Sequence, residues 1–289
     1  MAFADTRNAT ITGFCLKARH PLRNWALTGI CLWMFSFFLK KSFHDAWDNM
    51  MVIACFNGAA IAIAATGLTV MATFDSVLVR IFGMAFIVFG ASYWCAVAAF
   101  TFSSIAGFKS VKLETVRLAL VSGFVPGVQV GATLALAITS ALAGLRFYSS
   151  IGGFIGLFAT SLLFWLFVSL CLTLQYFLPA KAGGSGGFLG TLKLSFLLFM
   201  DAPLFALALF VYGAVCIALS PLVAFLLPGP ASSMLAGCEA FRLRMHRLRW
   251  LRSSDGKVAG PTPWKDLLAD DKEEFGERSL KDLLFPWRR

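Results

Sequence analysis

Between Asn49 and Phe241 the chain carries only four acids, Asp75, Glu114, Asp201 and Glu239. Two of these, Asp201 and Glu239, stand in or beside long apolar runs, as do the amides Asn57, Gln129 and Gln175. Ionisable and amide groups in apolar surroundings are the first place to look for function, because leaving them there is costly. A carboxylate such as Asp201 can bind a cation or a substrate hydroxyl. It also caps a helix amino end well, and its place two residues before Pro203 makes capping the simpler reading. Glu239 precedes Arg242 by one helical turn, a spacing suited to an ion pair along one helix. Asn57, Gln129 and Gln175 either line a polar path or tie helices together by hydrogen bonds, and the tie is the simpler of the two.

Signatures of catalysis are missing from the sequence. It contains no HExxH, no phosphate-binding loop ending in Gly-Lys-Ser/Thr and no G-x-S-x-G. The three histidines, His20, His44 and His246, are far apart, and the seven cysteines include no CxxC. Most of those cysteines lie in apolar runs, where Cys packs as a small hydrophobe. The expectation is a protein that is not an enzyme, with no cofactor, no metal site and no disulfide framework.

The elements that hold these groups follow from composition. Hydrophobic residues make up 58% of the 289 and charged residues 14%. A soluble domain has about a quarter charged, so this chain has too few for a surface that faces water. The net charge of +10 comes without any nucleic-acid recognition module and is better explained by bases flanking membrane helices on the cytoplasmic side. The lipid bilayer is the expected partner, and nucleic acid is not. The apolar runs are continuous rather than alternating, which points to helices and not a barrel.

Residues 1–48 form a basic amino-terminal segment. Its apolar stretch, NWALTGICLWMFSFFLKK, is short for a span of roughly 20 residues and has no cleavage site after it. It reads as a helix on or entering the membrane surface, with a true span as the alternative. Residues 49–245 read as the membrane domain. Spans are expected at about 50–72, 78–101, 126–145, 151–178, 202–219 and 221–240, the last two separated by Ser220-Pro221. Six crossings leave only Arg80 and Arg146 outside and bring the run FRLRMHRLRWLR to the side of the basic amino segment, as the positive-inside rule requires.

A phrase recurs within this domain. LETVRLAL begins at Leu113 and LGTLKLSF at Leu189, and each runs on to a proline, Pro126 or Pro203. Leu113, Val116, Leu120, Val121 and Phe124 share one helical face, and so do Leu189, Leu192, Phe196, Leu197 and Met200. Each reads as an amphipathic helix at the headgroup boundary, ended by a proline that turns the chain into the bilayer. A weaker third copy is Phe43, Ala46, Met50, Met51 and Ala54, with Asn57 near the proline position. The expected fold is therefore an all-α membrane protein with about six transmembrane helices in three hairpins, each preceded by an amphipathic interfacial helix. Sites in repeated membrane folds often lie between the repeats.

From Gln175 the chain shows a Gln-Tyr-x-x-Pro exit from a span, an amphipathic helix, an acid-x-Pro turn at Asp201–Pro203 and a closing Pro-rich hairpin. Earlier, Trp47, Asn49 and Asn57 make a Trp-x-Asn…Asn pattern. Over about residues 40–245 this resembles the YesL-like family of bacterial membrane proteins, with Asp201-Ala-Pro203 in place of a more usual Asn-Pro. The resemblance implies a multi-pass protein of the bacterial inner membrane with both termini cytoplasmic. It also implies a transport-associated role, since such proteins often accompany carbohydrate transport systems.

Residues 246–289 form a charged cytoplasmic tail that spells Lys-Asp-Leu-Leu twice, at Lys265 and Lys281. Trp264, Phe285, Pro286 and Trp287 are the candidate anchors for docking on a cytoplasmic or membrane protein partner, or on the protein's own cytoplasmic face. A solvated tail is the plainer alternative. The sequence leaves substrate and oligomeric state open. Its expected function is that of a transport-associated accessory or subunit of a membrane complex, and the alternative is an independent transporter or channel.

Overall fold

An apolar chain in lipid must satisfy its backbone groups internally, and helices do so within each segment. A computed structural model describes residues 27–223, 228–253 and 262–275. Every regular element among the described residues is helical. The order is α1 (Leu27–Asp48), α2 (Met50–Thr73), α3 (Val77–Ala106), α4 (Leu113–Ser122), α5 (Phe124–Ile151), α6 (Gly153–Leu174), α7 (Phe177–Ala182), α8 (Phe188–Asp201), α9 (Pro203–Leu219), a 3₁₀ turn (Ser220–Val223), α10 (Pro230–Ser253), α11 (Trp264–Leu267) and α12 (Ala269–Phe275).

Four helical stretches are long and apolar enough to cross a membrane: Met50–Thr73, Val77–Ala106, Phe124–Ile151 and Gly153–Ala182. The pair α8 and α9 adds a fifth crossing if the two count as one broken span, and they meet at 103°. Large apolar side chains near the hairpin turns, including Phe74, Leu78, Phe82, Phe154 and Phe158, stand exposed. On a soluble protein such a surface would drive aggregation. On these helices it is the face for lipid, consistent with a multi-pass membrane protein.

The chain divides into two units. One holds Asn49–Cys238, and the other joins Met1–Asp48 to Glu239–Arg289. In the first unit, α3 packs against α5 along a seam of glycines. A Cβ on Gly127 would lie 2.6 Å from the Tyr93 Cα, and one on Gly131 would lie 2.7 Å from the Phe89 ring. With Gly123 a turn earlier, these residues form a small-xxx-small stripe that lets two helix backbones approach closely. Tyr93 and Trp94 extend the packing with hydrogen bonds, from the Tyr93 hydroxyl to the Leu120 carbonyl (3.0 Å) and from Trp94 Nε1 to the Phe56 carbonyl (2.9 Å).

The two copies of the repeated phrase each form a short helix followed by a longer apolar one, but their joints differ. Between α8 and α9 the backbone is broken at Ala202 (φ −149°, ψ 78°), and Pro203 is the first residue of α9. Proline suits that position because its missing N–H has no intrahelical partner there anyway. Between α4 and α5 the interruption is at Gly123, not at the expected Pro126, and its backbone stays close to helical (φ −77°, ψ −14°). Pro126 sits within the first turn of α5, where the same exemption from donating applies.

The weaker third copy does not share one helix face. Asn49 separates α1 from α2, so Phe43 and Ala46 belong to one helix and Met50, Met51 and Ala54 to the next. Asn57 lies well inside α2 rather than at a break. The segment expected to be the sixth span also differs. Its helix begins at Pro230 and continues through the basic run to Ser253. Only about nine uncharged residues precede Glu239, roughly 14 Å of helix against a hydrocarbon core of about 30 Å. That first part of α10 runs beside α9, where a Cβ on Gly213 would touch the Ser233 Cβ at 3.4 Å.

Candidate functional site

Asn57 is fully buried on α2 and its Oδ1 accepts the backbone N–H of Ala231 at 2.9 Å. Ala231 is in the first turn of α10, whose donors have no partner within the helix. Asn57 thus caps α10 from another helix. Gly229 is necessary for that approach, since a Cβ there would overlap the Asn57 amide. Gln175, the residue after α6, donates from Nε2 to the Ala206 carbonyl in α9 at 2.9 Å. Both amides therefore act as ties between helices. Gln129, on α5, is different: its Oε1 is buried and accepts no hydrogen bond among the described residues.

Asp201 is exposed and is the last residue of α8, while Ala202 takes the capping position of α9. The acid therefore sits at the elbow rather than within a span. Glu239 is buried in α10, outside the four long apolar helices and the bent pair. Its expected partner was Arg242. The observed one is Ser42, whose hydroxyl donates to Oε2, with the Lys41 Nζ 3.8 Å from Oε1. Lys41 also pairs with Asp45 one turn along α1. Burial pushes the Glu239 carboxyl well above its ordinary range. The Lys41 charge opposes this, Asp45 adds to it by charge and by hydrogen bonding, and Ser42 opposes it. The cluster joins the amino and carboxyl segments of one unit, and sequence reading missed it because its members are separated by most of the chain.

Arg242 instead reaches Asp271, with Nη2 2.7 Å from Oδ1, and the His246 Nε2 lies 3.7 Å from the other carboxylate oxygen. Asp271 belongs to α12, in the tail. Trp264 and Leu268, in and just after α11, are buried as well. The anchor expected at Trp264 thus packs inside the protein's own fold. Those expected at Phe285, Pro286 and Trp287 lie outside the described residues.

No three His, Cys, Asp or Glu side chains among the described residues are grouped to hold a metal ion. No family model, no curated protein and no solved structure matches the chain. The arrangement as a whole can tie helices and bury a few charges. The missed glycine stripe was legible, since Gly123, Gly127 and Gly131 recur every four residues.

Proposed function

We propose that the chain is a non-catalytic, multi-pass accessory subunit of a membrane complex in the bacterial inner membrane, with both termini cytoplasmic. The observation that carries this reading is the use of Asn57 and Gln175. These amides each bond a neighbouring helix, α10 or α9, which supports a tie rather than a polar path. The likeness to YesL-like proteins adds a transport-associated setting. The Lys41–Glu239 contact supports the topology, because two residues 3.8 Å apart lie at one membrane depth and the chain between them returns to the face it left. Four crossings with α9 and the start of α10 as a re-entrant hairpin satisfy this, and they agree with the short apolar part of α10. The basic run after Glu239 then stays with Lys40 and Lys41, as the charge rule favours.

The tail is the proposed contact with a cytoplasmic partner, through the residues beyond α12. Affinity purification of the full chain should bring down a stoichiometric partner that a chain ending at Gly260 loses. A partner retained by that truncated chain overturns the role of the tail, and solute flux through the purified protein alone in liposomes overturns the accessory reading.

A second reading has Gln129 in its favour. A buried amide oxygen with no hydrogen-bond partner among the described residues is the kind of group a small-solute site would use. An independent transporter should then lose flux with Gln129→Leu and be altered by Asp201→Ala.

A further inference from the structure

Helix α8 leaves an apolar row uncovered. Its buried residues are Thr191, Ser195, Leu198 and Phe199, while Leu189, Phe196 and Met200 are exposed. One base, Lys193, is exposed a turn from both Leu189 and Phe196. The helix turns by 103° from the apolar α9. Helix α4 shares the exposed apolar row and the base: Leu113, Leu118 and Val121 are exposed, and Arg117 is exposed at the position matching Lys193, while its buried residue is Ala119. An apolar row left facing water would be unfavourable. An apolar medium carrying anionic groups at its edge satisfies both the row and its base.

We infer that α4 and α8 are a matched pair of anionic-phospholipid sites. Acyl chains cover the exposed leucines and phenylalanines, and one base on each helix, Arg117 or Lys193, pairs with the headgroup phosphate. Charge complementarity selects this occupant. A base in the middle of an apolar row is tolerated where its stem lies along lipid and its charge reaches the headgroups. The two sites differ in strength. Glu114 is exposed one turn before Arg117 and offsets its charge, whereas α8 carries no acid before Asp201 at its far end. The inference stands apart from the choice between accessory and transporter.

The test uses the full-length protein in bilayers containing spin-labelled phosphatidylglycerol or phosphatidylcholine. The wild type should select phosphatidylglycerol. Lys193→Gln should weaken that selectivity at its site roughly fivefold, the worth of one base near a surface. Arg117→Gln should weaken it less, and Lys193→Arg should leave it unchanged. A double variant that keeps both wild-type selectivity and wild-type helicity overturns the inference. A second measurement does not depend on the variants folding alike. A photoreactive residue at Phe196 should capture labelled lipid, and capture of polypeptide instead overturns the assignment.

Discussion

Asn57 on α2 and Ala231 on α10 are joined by a single buried hydrogen bond of 2.9 Å that spans 174 positions of sequence. Removing the Asn57 side chain should cost about 1–2 kcal/mol, the usual loss for an N-cap. Gly229→Ala should destabilise through overlap with the same amide. The two changes should couple, with Gly229→Ala milder in an Asn57→Ala background. Thermal unfolding in detergent measures all three variants, and strict additivity within about 0.5 kcal/mol contradicts the contact.

The glycine seam predicts a contrast. Gly127→Ala pushes a Cβ against the Tyr93 backbone and should destabilise by about 1–3 kcal/mol. Gly190→Ala, in a helix with nothing within 4 Å of the new atom, should be neutral or stabilise by up to about 1 kcal/mol. The same unfolding assay reads both, and equal effects would remove the seam from the account.

Glu239 sets a pH dependence whose sign follows from its raised carboxyl. The folded state holds the proton to higher pH than the unfolded state does, so this group's contribution is full below the ordinary value of about 4.5 and is lost as pH rises through the raised value. Unfolding temperature should fall for this reason between acid and neutral pH. Glu239→Gln, which can still accept from Ser42, should flatten the profile. A variant with an unchanged profile would show that the carboxyl does not titrate in this way.

The tail segment should be protected by its contacts. Trp264→Ala removes a buried ring, and Asp271→Ala leaves Arg242 without that carboxylate. Either change should speed cleavage within residues 262–275 in limited proteolysis several-fold while leaving the apolar helices intact. Equal cleavage rates would mean the segment is held by neither residue.

The fold was readable where periodicity and apolarity are local properties. The four long helices follow from extended apolar runs, and the short helices at Leu113 and Leu189 from their helical faces, but the break expected at 146–150 falls at Gly152, since α5 runs on to Ile151. Joints were less readable. Pro126 and Pro203 look alike in sequence, yet a proline is tolerated anywhere in a helix's first turn, so the break falls at Gly123 in one case and at Ala202 in the other. Long-range pairing was least readable. Glu239 and Arg242 have an ideal intrahelical spacing, but Ser42, Lys41 and Asp271 reach them from distant parts of the chain, and no local pattern encodes that choice. The partners of the amides Asn57 and Gln175 depended on which N–H or carbonyl the packing brought near.

Topology tests the account most directly, since the proposed cytoplasmic placement of both termini has the chain between Lys41 and Glu239 return to its starting face. Single cysteines placed at Arg249, Asp75 and Ser149, in a background without the native cysteines, can be probed in intact cells with a membrane-impermeant thiol reagent. The account predicts labelling at positions 75 and 149 from outside, and labelling at 249 only after the cells are opened. Labelling of position 249 from outside would contradict it.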